Sequence, residues 1–537
     1  MMKSGASEQL HENVTSDMHS AMEVDVVILG GALSGCSVAL LLRRELPALR
    51  VLILERSESF DRKVGEATTE ISGEFLHRRL GLARYLSNEH IAKQGLRMWF
   101  NGGPETAFDD CVEIGAKLQS RLPSYQVDRE KLDSHLLATA EEEGAILWRP
   151  ATVTNVSFDE PQRPELQVRT QGETRTVRCR WVIDASGRAA FLSRRLGHLR
   201  PVPEHPTNAI WARFRNVADW DSAAFRSRHT NYGGSCIASR GASTNHLTGY
   251  GWWCWIIPLR GGDVSAGLVY DSRLFTPPEG ANLSERLLKH LLSDPVGREM
   301  FADAVPNEGD IKAYSQLPYY SEKIAGPGWQ SVGDAAAFLD PLYSPGMDYC
   351  SWTSRLAFAR IRSEYRGETV DLEDINSRFR TSYDTWFRAL YLNKYYYLGD
   401  AEIMSIAYML DIGLFFIGPV RESISRRGSC DSNCLPFTGP VDTLVGKLMK
   451  FYNRRLFHIA LKRRQAGCYG RRNTGWRELN PGFSTGMGSA PLFLAALFRW
   501  LKLEIHALGL KSPHGTPAAP PSTLAPAALA GAAPASH

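Results

Sequence analysis

Val24–Glu55 reads VDVVILGGALSGCSVALLLRRELPALRVLILE, and this stretch decides the fold. An apolar run, Val24–Leu29, predicts a buried strand. Gly30-Gly31-Ala32-Leu33-Ser34-Gly35 predicts a tight turn, Ser34–Arg44 a helix, and Val51–Leu54 a second strand closed by Glu55. Strand, glycine turn, helix, strand and terminal acid form a unit that binds a dinucleotide. The turn brings backbone N–H groups to a pyrophosphate at the positive end of the helix, and the acid meets a ribose. Ala32 stands where the pattern has its middle glycine, so a methyl crowds the phosphate approach.

Outward from this unit, 537 residues hold several domains' worth of chain. With 43% apolar and 22% charged residues, the composition is that of an ordinary globular protein. The net charge of +4 is uneven: residues 419–480 carry 13 Lys/Arg against 4 Asp/Glu, a local +9. Such a segment suits an acidic protein, a membrane surface or nucleic acid, or is simply a solvated helical surface. Nine scattered cysteines lack metal-ligand spacing; Cys430 and Cys434 have no second pair nearby, so no metal is expected. Residues 1–22 are polar, without a secretory signal, and free thiols fit a reducing cytoplasm. Ile403–Val420 is apolar but short and interrupted by Asp411, which argues against a membrane span. Leu492–Leu510 is amphipathic and suits a membrane surface or, the favoured reading, cover for the protein's own core.

The expected architecture is α/β. A Rossmann-like dinucleotide-binding domain occupies 23–200 and 326–370. A mostly antiparallel β-sheet substrate domain is inserted at 201–325, and a helical region follows at 371–511. Residues 1–22 and the Ala/Pro-rich tail 512–537 are expected to be disordered. Ile91–Phe100 reads as one strand containing Lys93, and Glu130–Glu143 as a helix. Trp181–Ile183 reads as a strand ending at Asp184-Ala185-Ser186-Gly187, and Trp329–Val332 as one leading into Gly333-Asp334-Ala335-Ala336.

These motifs occur in the order of one flavoprotein class: the glycine turn, Val127-Asp128-Arg129, the Asp184–Gly187 turn and the Gly333-Asp334 turn. Over roughly Val24–Tyr349 the chain resembles FAD-dependent oxidoreductases of the aromatic-hydroxylase fold. Two further motifs narrow this. Trp253-Cys254-Trp255-Ile256-Ile257-Pro258 matches the W-x-W-x-I-P signature of flavin-dependent halogenases, and Gly65-Glu66-Ala67-Thr68 matches their G-E-A-T segment.

The resemblance implies FAD as cofactor, reduced by a separate flavin reductase, with O2 and chloride or bromide as co-substrates. It implies cofactor contacts from Gly30, Gly31, Ala32, Ser34, Gly35, Glu55, Glu66, Ala67, Arg129, Asp184, Gly187, Gly333 and Asp334. Lys93 stands where phenol-type members hold the lysine that delivers the halogen, while Trp253, Trp255 and Pro258 separate flavin from substrate. The loop containing Pro341, Ser344, Pro345, Gly346 and Met347 takes the place of the halide-binding loop. Two letters depart from pattern. Tyr343 replaces the glutamate of tryptophan halogenases, which points to a phenol-like or pyrrolic ring. Pro345 has no N–H to give a halide. Both departures favour the alternative, an FAD monooxygenase without halogenation; a flavoprotein serving only as a partner-binding subunit ranks behind it. The basic segment suits an acidic acyl carrier protein presenting a tethered ring; nucleic acid is not expected as a partner, and membrane contact through 419–510 is the less favoured reading.

Overall fold

The computed structural model describes residues 21–120, 122–230, 237–425, 435–482 and 490–509. Most of the expected polar N-terminus, the expected tail, and Cys430 and Cys434 lie outside the described residues.

The quoted unit folds as read. Strand Val26–Leu29 and helix Leu33–Glu45 are followed by strand Val51–Leu54, and both strands are buried throughout. The two strands pair in parallel within a six-stranded sheet. Its order is Ala325–Gly326, Trp329–Ser331, Trp181–Asp184, Val26–Leu29, Val51–Leu54, Ile146–Trp148. Continuous apolar strands of this kind belong to a sheet covered on both faces. One cover is helix Leu33–Glu45, packed against helix Arg129–Glu142 and the long helix Gly346–Tyr365.

The second sheet is larger and crosses the expected boundaries. Thr207–Arg215, Val264–Asp271, Trp252–Pro258 and Thr244–Gly249 run antiparallel, as the alternating pattern predicts. The sheet then continues through Leu96–Phe100 and Val112–Ala116, expected in the nucleotide domain, to Arg477–Asn480, expected to be helical. A strand of only four residues, flanked by basic and glycine-rich sequence, gives no periodic signal of its own.

Ile91–Phe100 is not one strand. Ile91–Ala92 pairs with Tyr125–Gln126, and the large sheet begins only at Leu96. Gly95, at φ +91°, turns the chain between the two, a conformation open to glycine without strain. Lys93 therefore sits in the break. Beyond residue 371 the chain is mainly helical, and the apolar helix spanning Ala401–Ile424, although long enough to cross a bilayer, has 83% of its most apolar window buried inside the fold. Its side chains join the core that also contains Trp253, Trp255, Leu342 and Tyr349.

Candidate active site

The nucleotide turn is shaped for close approach. Gly30 has φ +107°, and a Cβ there would lie 2.5 Å from the Ala185 carbonyl oxygen; one on Gly35 would lie 1.9 Å from the Gly30 carbonyl oxygen. Ala32 caps the helix without a side-chain hydrogen bond, so the expected crowding is one methyl at an otherwise open N-terminus. The Gly31 N–H donates to Glu55 Oε2 at 2.8 Å, holding the terminal acid against the turn. Ser34 Oγ sits 2.2 Å from where a Cβ on Gly333 would be, so only glycine lets the two turns meet. Arg129 forms a bidentate pair with Asp133 at 3.1 Å, and Asp133 also accepts from the Leu33 N–H. Gly65 lies against that guanidinium. Burial pushes the Asp334 carboxyl upward, while the charges of Arg188 and Arg129 pull it back. The first-turn N–H groups beyond Leu33, whose own N–H is held by Asp133, two guanidiniums, a carboxylate beside the turn and a second acid at Gly333-Asp334 fit the phosphates and hydroxyls of FAD.

Two expected cofactor contacts are otherwise engaged. Asp184 is fully buried and accepts from the N–H groups of Ser186 and Leu192, so it fastens the Asp184–Gly187 turn instead of presenting a free carboxylate. Gly187, at φ +63°, makes that turn possible. Glu66 is bound by Arg213 at 2.8 Å, and Arg213 also holds Asp128, so Glu66 joins the nucleotide domain to the large sheet. Burial raises the Glu66 carboxyl to about 7 despite Arg213. The Ala67 side chain is buried in the same large core as Trp253 and Trp255.

Lys93 is buried, and its ammonium donates to the Thr68 carbonyl at 2.9 Å. Burial lowers its pKa, opposed by the charges of Glu70 and Asp348. Neither carboxylate was legible as a partner. Asp348 Oδ1 accepts from Thr69 Oγ1 at 2.6 Å and from the Ser72 N–H at 3.1 Å, while Oδ2 is buried with no partner among the described residues. Burial lifts this carboxyl to about 7. His246 is the third titratable group near Lys93. It is buried, its ring lies 4.7 Å from that of Trp253, and its Nδ1 has no partner among the described residues. Burial, and then the charge of Lys93, press the imidazole down to about 3, so it is neutral at pH 7.

The two signature tryptophans share a face of strand Trp252–Pro258, with ring centres 6.0 Å apart, and Pro258 ends the strand. Trp255 donates to Ser265 Oγ at 3.1 Å. Trp253 donates to the Tyr395 hydroxyl at 2.8 Å, which donates to Asp340 Oδ2 at 2.9 Å; His205 Nε2 meets the same oxygen at 2.9 Å. Asp340 opens the loop expected to hold halide, and its Oδ1 accepts the Leu342 N–H. In that loop Pro341 accepts the Ser344 N–H at 3.0 Å, and Tyr343 and Ser344 adopt left-handed φ values of +66° and +59°. Pro345 is the N-cap of helix Gly346–Tyr365. Pro345 gives its carbonyl to the Tyr349 N–H, but the N-cap N–H is one of the four orphan donors at a helix start, so the proline leaves one donor fewer at this terminus. The first-turn N–H groups of Gly346 and Met347 remain, and a Cβ on Gly346 would meet no atom within 4 Å.

Comparison with known proteins bears on the fold and the cofactor. Residues 23–247 match the family model described as an FAD binding domain. A tryptophan 2-halogenase from Chondromyces crocatus is 27% identical over 368 residues, which is 67% of this chain but 65%, just under two thirds, of that protein. A 1H-pyrrole-2-carbonyl-[peptidyl-carrier protein] chlorinase from Pseudomonas fluorescens is 25% identical over 417 residues, 73% of this chain and 84% of that one. Among solved structures, halogenase PltM in complex with phloroglucinol and FAD superposes with a TM-score of 0.69 at 19% identity, covering 90% of this chain and 96% of that one.

Proposed function

We propose that this chain, which belongs to the flavin-dependent halogenase family of FAD-binding proteins, transfers chlorine or bromine to an electron-rich, phenol-like ring. Bound reduced FAD would supply the oxidation of halide by O2, its electrons coming from a separate flavin reductase. The residues of this chain then carry the halogen and the protons. The observation that carries this reading is the buried Lys93, with the charges of Glu70 and Asp348 acting on it and a neutral His246 nearby whose ring packs against Trp253.

In this reading Gly346 and Met347 offer N–H groups to the halide, and Lys93 orients the halogen oxidant through its ammonium or, deprotonated, carries the halogen on nitrogen. Burial favours the amine by penalising the charged form. The unpartnered Nδ1 of His246 accepts the substrate's phenolic O–H, since a buried acceptor left unpaired costs about 1–3 kcal/mol. A phenol needs little else to activate its ring, which explains how Tyr343 can replace a glutamate. Asp348, held near neutrality, takes the proton lost from the ring carbon. The pyrrole chlorinase acts on a carrier-bound ring, and the +9 segment at 419–480 supports delivery here on an acidic carrier as well as free diffusion.

The test is direct. Supplied with a flavin reductase, NADH, bromide and a panel of phenols, free and carrier-tethered, the protein is expected to add bromine, read as a mass shift with its isotope doublet. Addition of oxygen alone would replace this reading with the monooxygenase.

A further inference from the structure

The C-terminal helices leave a large apolar surface uncovered. Helix Ala490–Gly509 buries Ala496, Leu503 and Ala507 against helix Ala401–Phe415. Its opposite face carries Leu494, Phe498, Leu501, Ile505 and Leu508, spaced 4-3-4-3, so they form one stripe along about 20 Å of helix. Beside it, helix Pro440–Gln465 presents Val441, Leu444 and Phe451. All eight side chains are between 48% and 75% exposed. Phe451 packs on Trp500 at 5.8 Å and Arg455 pairs with Glu504 at 2.6 Å, so the helices run side by side in parallel and their stripes join. These eight are the majority of the large exposed apolar residues among the described residues. Contiguous apolar patches on this scale mark interaction sites.

The charges around the patch specify what covers it. Lys447, Arg454 and Lys502 stand at its rim, exposed and without an ion pair among the described residues. Lys502 lays its ammonium 4.5 Å from the Phe498 ring, with its stem along the stripe. The acids of the two helices are withdrawn: Glu504 is held by Arg455 and Asp442 is buried. A second copy of this chain would bring cations against cations. An acidic folded protein would satisfy the rim but offers no continuous apolar layer for two parallel helices. A bilayer surface offers both, acyl chains for the stripe and anionic headgroups for the rim.

We propose that helices Pro440–Gln465 and Ala490–Gly509 dock this protein on an anionic lipid surface, with the apolar stripe sunk among the acyl chains and Lys447, Arg454 and Lys502 on the headgroups. The expectation that the last helix chiefly covers the protein's own core thus holds for one of its faces only. The docking is independent of the halogenation reading.

The experiment is flotation of the full-length, FAD-loaded protein with vesicles of phosphatidylcholine alone or mixed equally with phosphatidylglycerol. Binding to the mixed vesicles is expected to be at least about tenfold tighter, and to weaken as salt rises. The variant F498E/L501E/I505E is expected to lose binding while keeping its yellow FAD spectrum. K447E/R454E/K502E, which changes only exposed side chains, is expected to bind mixed vesicles about tenfold or more weakly and to lose the salt dependence. Three results overturn the proposal: no binding of the folded protein to anionic vesicles, a solution dimer that the glutamate triple variant splits, or capture by an acidic carrier domain without vesicle binding.

Discussion

Two lysines are buried among the described residues, and the contrast between them separates chemistry from architecture. Lys93 makes one hydrogen bond, to a backbone carbonyl, and its carboxylates Glu70 and Asp348 act on it as charges. Lys394 is completely buried and is tied on every side. It pairs with Asp411 at 2.5 Å, donates to Asn453, and lies over the faces of Tyr343 and Tyr397. Asp411 is itself bound by Tyr452 at 2.6 Å and by Tyr343. Burial lowers the pKa of both lysines. Burial alone therefore does not identify a reactive amine; the partner set does. Lys93 spends one of its three donors, whereas Lys394 spends two on side chains and lies over two rings.

The comparison breaks most visibly if the roles are exchanged. Lys93→Ala is expected to cut halogenation by about a thousandfold or more, within the range of a lost proton- or group-transfer residue, with FAD absorbance and melting temperature nearly unchanged. Retained bromination would remove Lys93 from the mechanism. Lys394→Met, by contrast, strands Asp411 without its counter-ion and is expected to destabilise the fold by about 3–5 kcal/mol, read by denaturant unfolding. The fraction that stays folded should keep its turnover. A stable but inactive Lys394→Met protein would show that the second lysine, not the first, belongs to the chemistry.

The sequence made only one of these lysines legible, and the reason is physical. Lys93 could be picked out only because it stands where the resembled family holds its lysine; its partner Thr68 is 25 residues away, and Lys394, whose partners lie 17 and 59 residues away on helices whose facing is set by packing, had no such motif beside it. The same holds across the site. The strand–turn–helix unit at 24–55 and the tryptophan pair are local and could be read directly. His246 reaches Trp253 by strand pairing, and Asp348 reaches Thr69 across 279 residues, so neither had a sequence signal. The break at Gly95 that frees Lys93 from the sheet was hidden inside an apolar run that reads as one strand. Pro345, the strongest objection from sequence, sits at the N-cap and removes one donor there, which leaves the halide to the N–H groups of Gly346 and Met347.

Asp348 sharpens the contrast through pH. Its folded carboxyl titrates at about 7, well above the ordinary 3.8, because burial penalises the anion. A group that binds its proton more tightly in the fold stabilises at low pH, and that stabilisation is lost as pH rises through about 4 to about 7. Asp348→Asn keeps an acceptor for Thr69 and Ser72 but cannot ionise. It is expected to flatten the fall in stability across that window, by on the order of a few kcal/mol at about 1.4 kcal/mol per unit, and to remove a limb near pH 7 from the rate profile. An unchanged pH profile of both stability and rate would place the titration elsewhere.

The smallest effect is expected at His246. Burial holds its imidazole neutral at working pH, so it contributes one hydrogen bond to the substrate oxygen and no charge. His246→Phe fills the space beside Trp253 but removes the acceptor. It should lower kcat/KM for phenols by about tenfold, roughly one neutral hydrogen bond, while leaving binding of the corresponding anisoles, which lack the O–H, unchanged. Equal losses for phenol and anisole would mean that His246 only supports Trp253, and Lys93 would then stand without a partner that reads the substrate's hydroxyl.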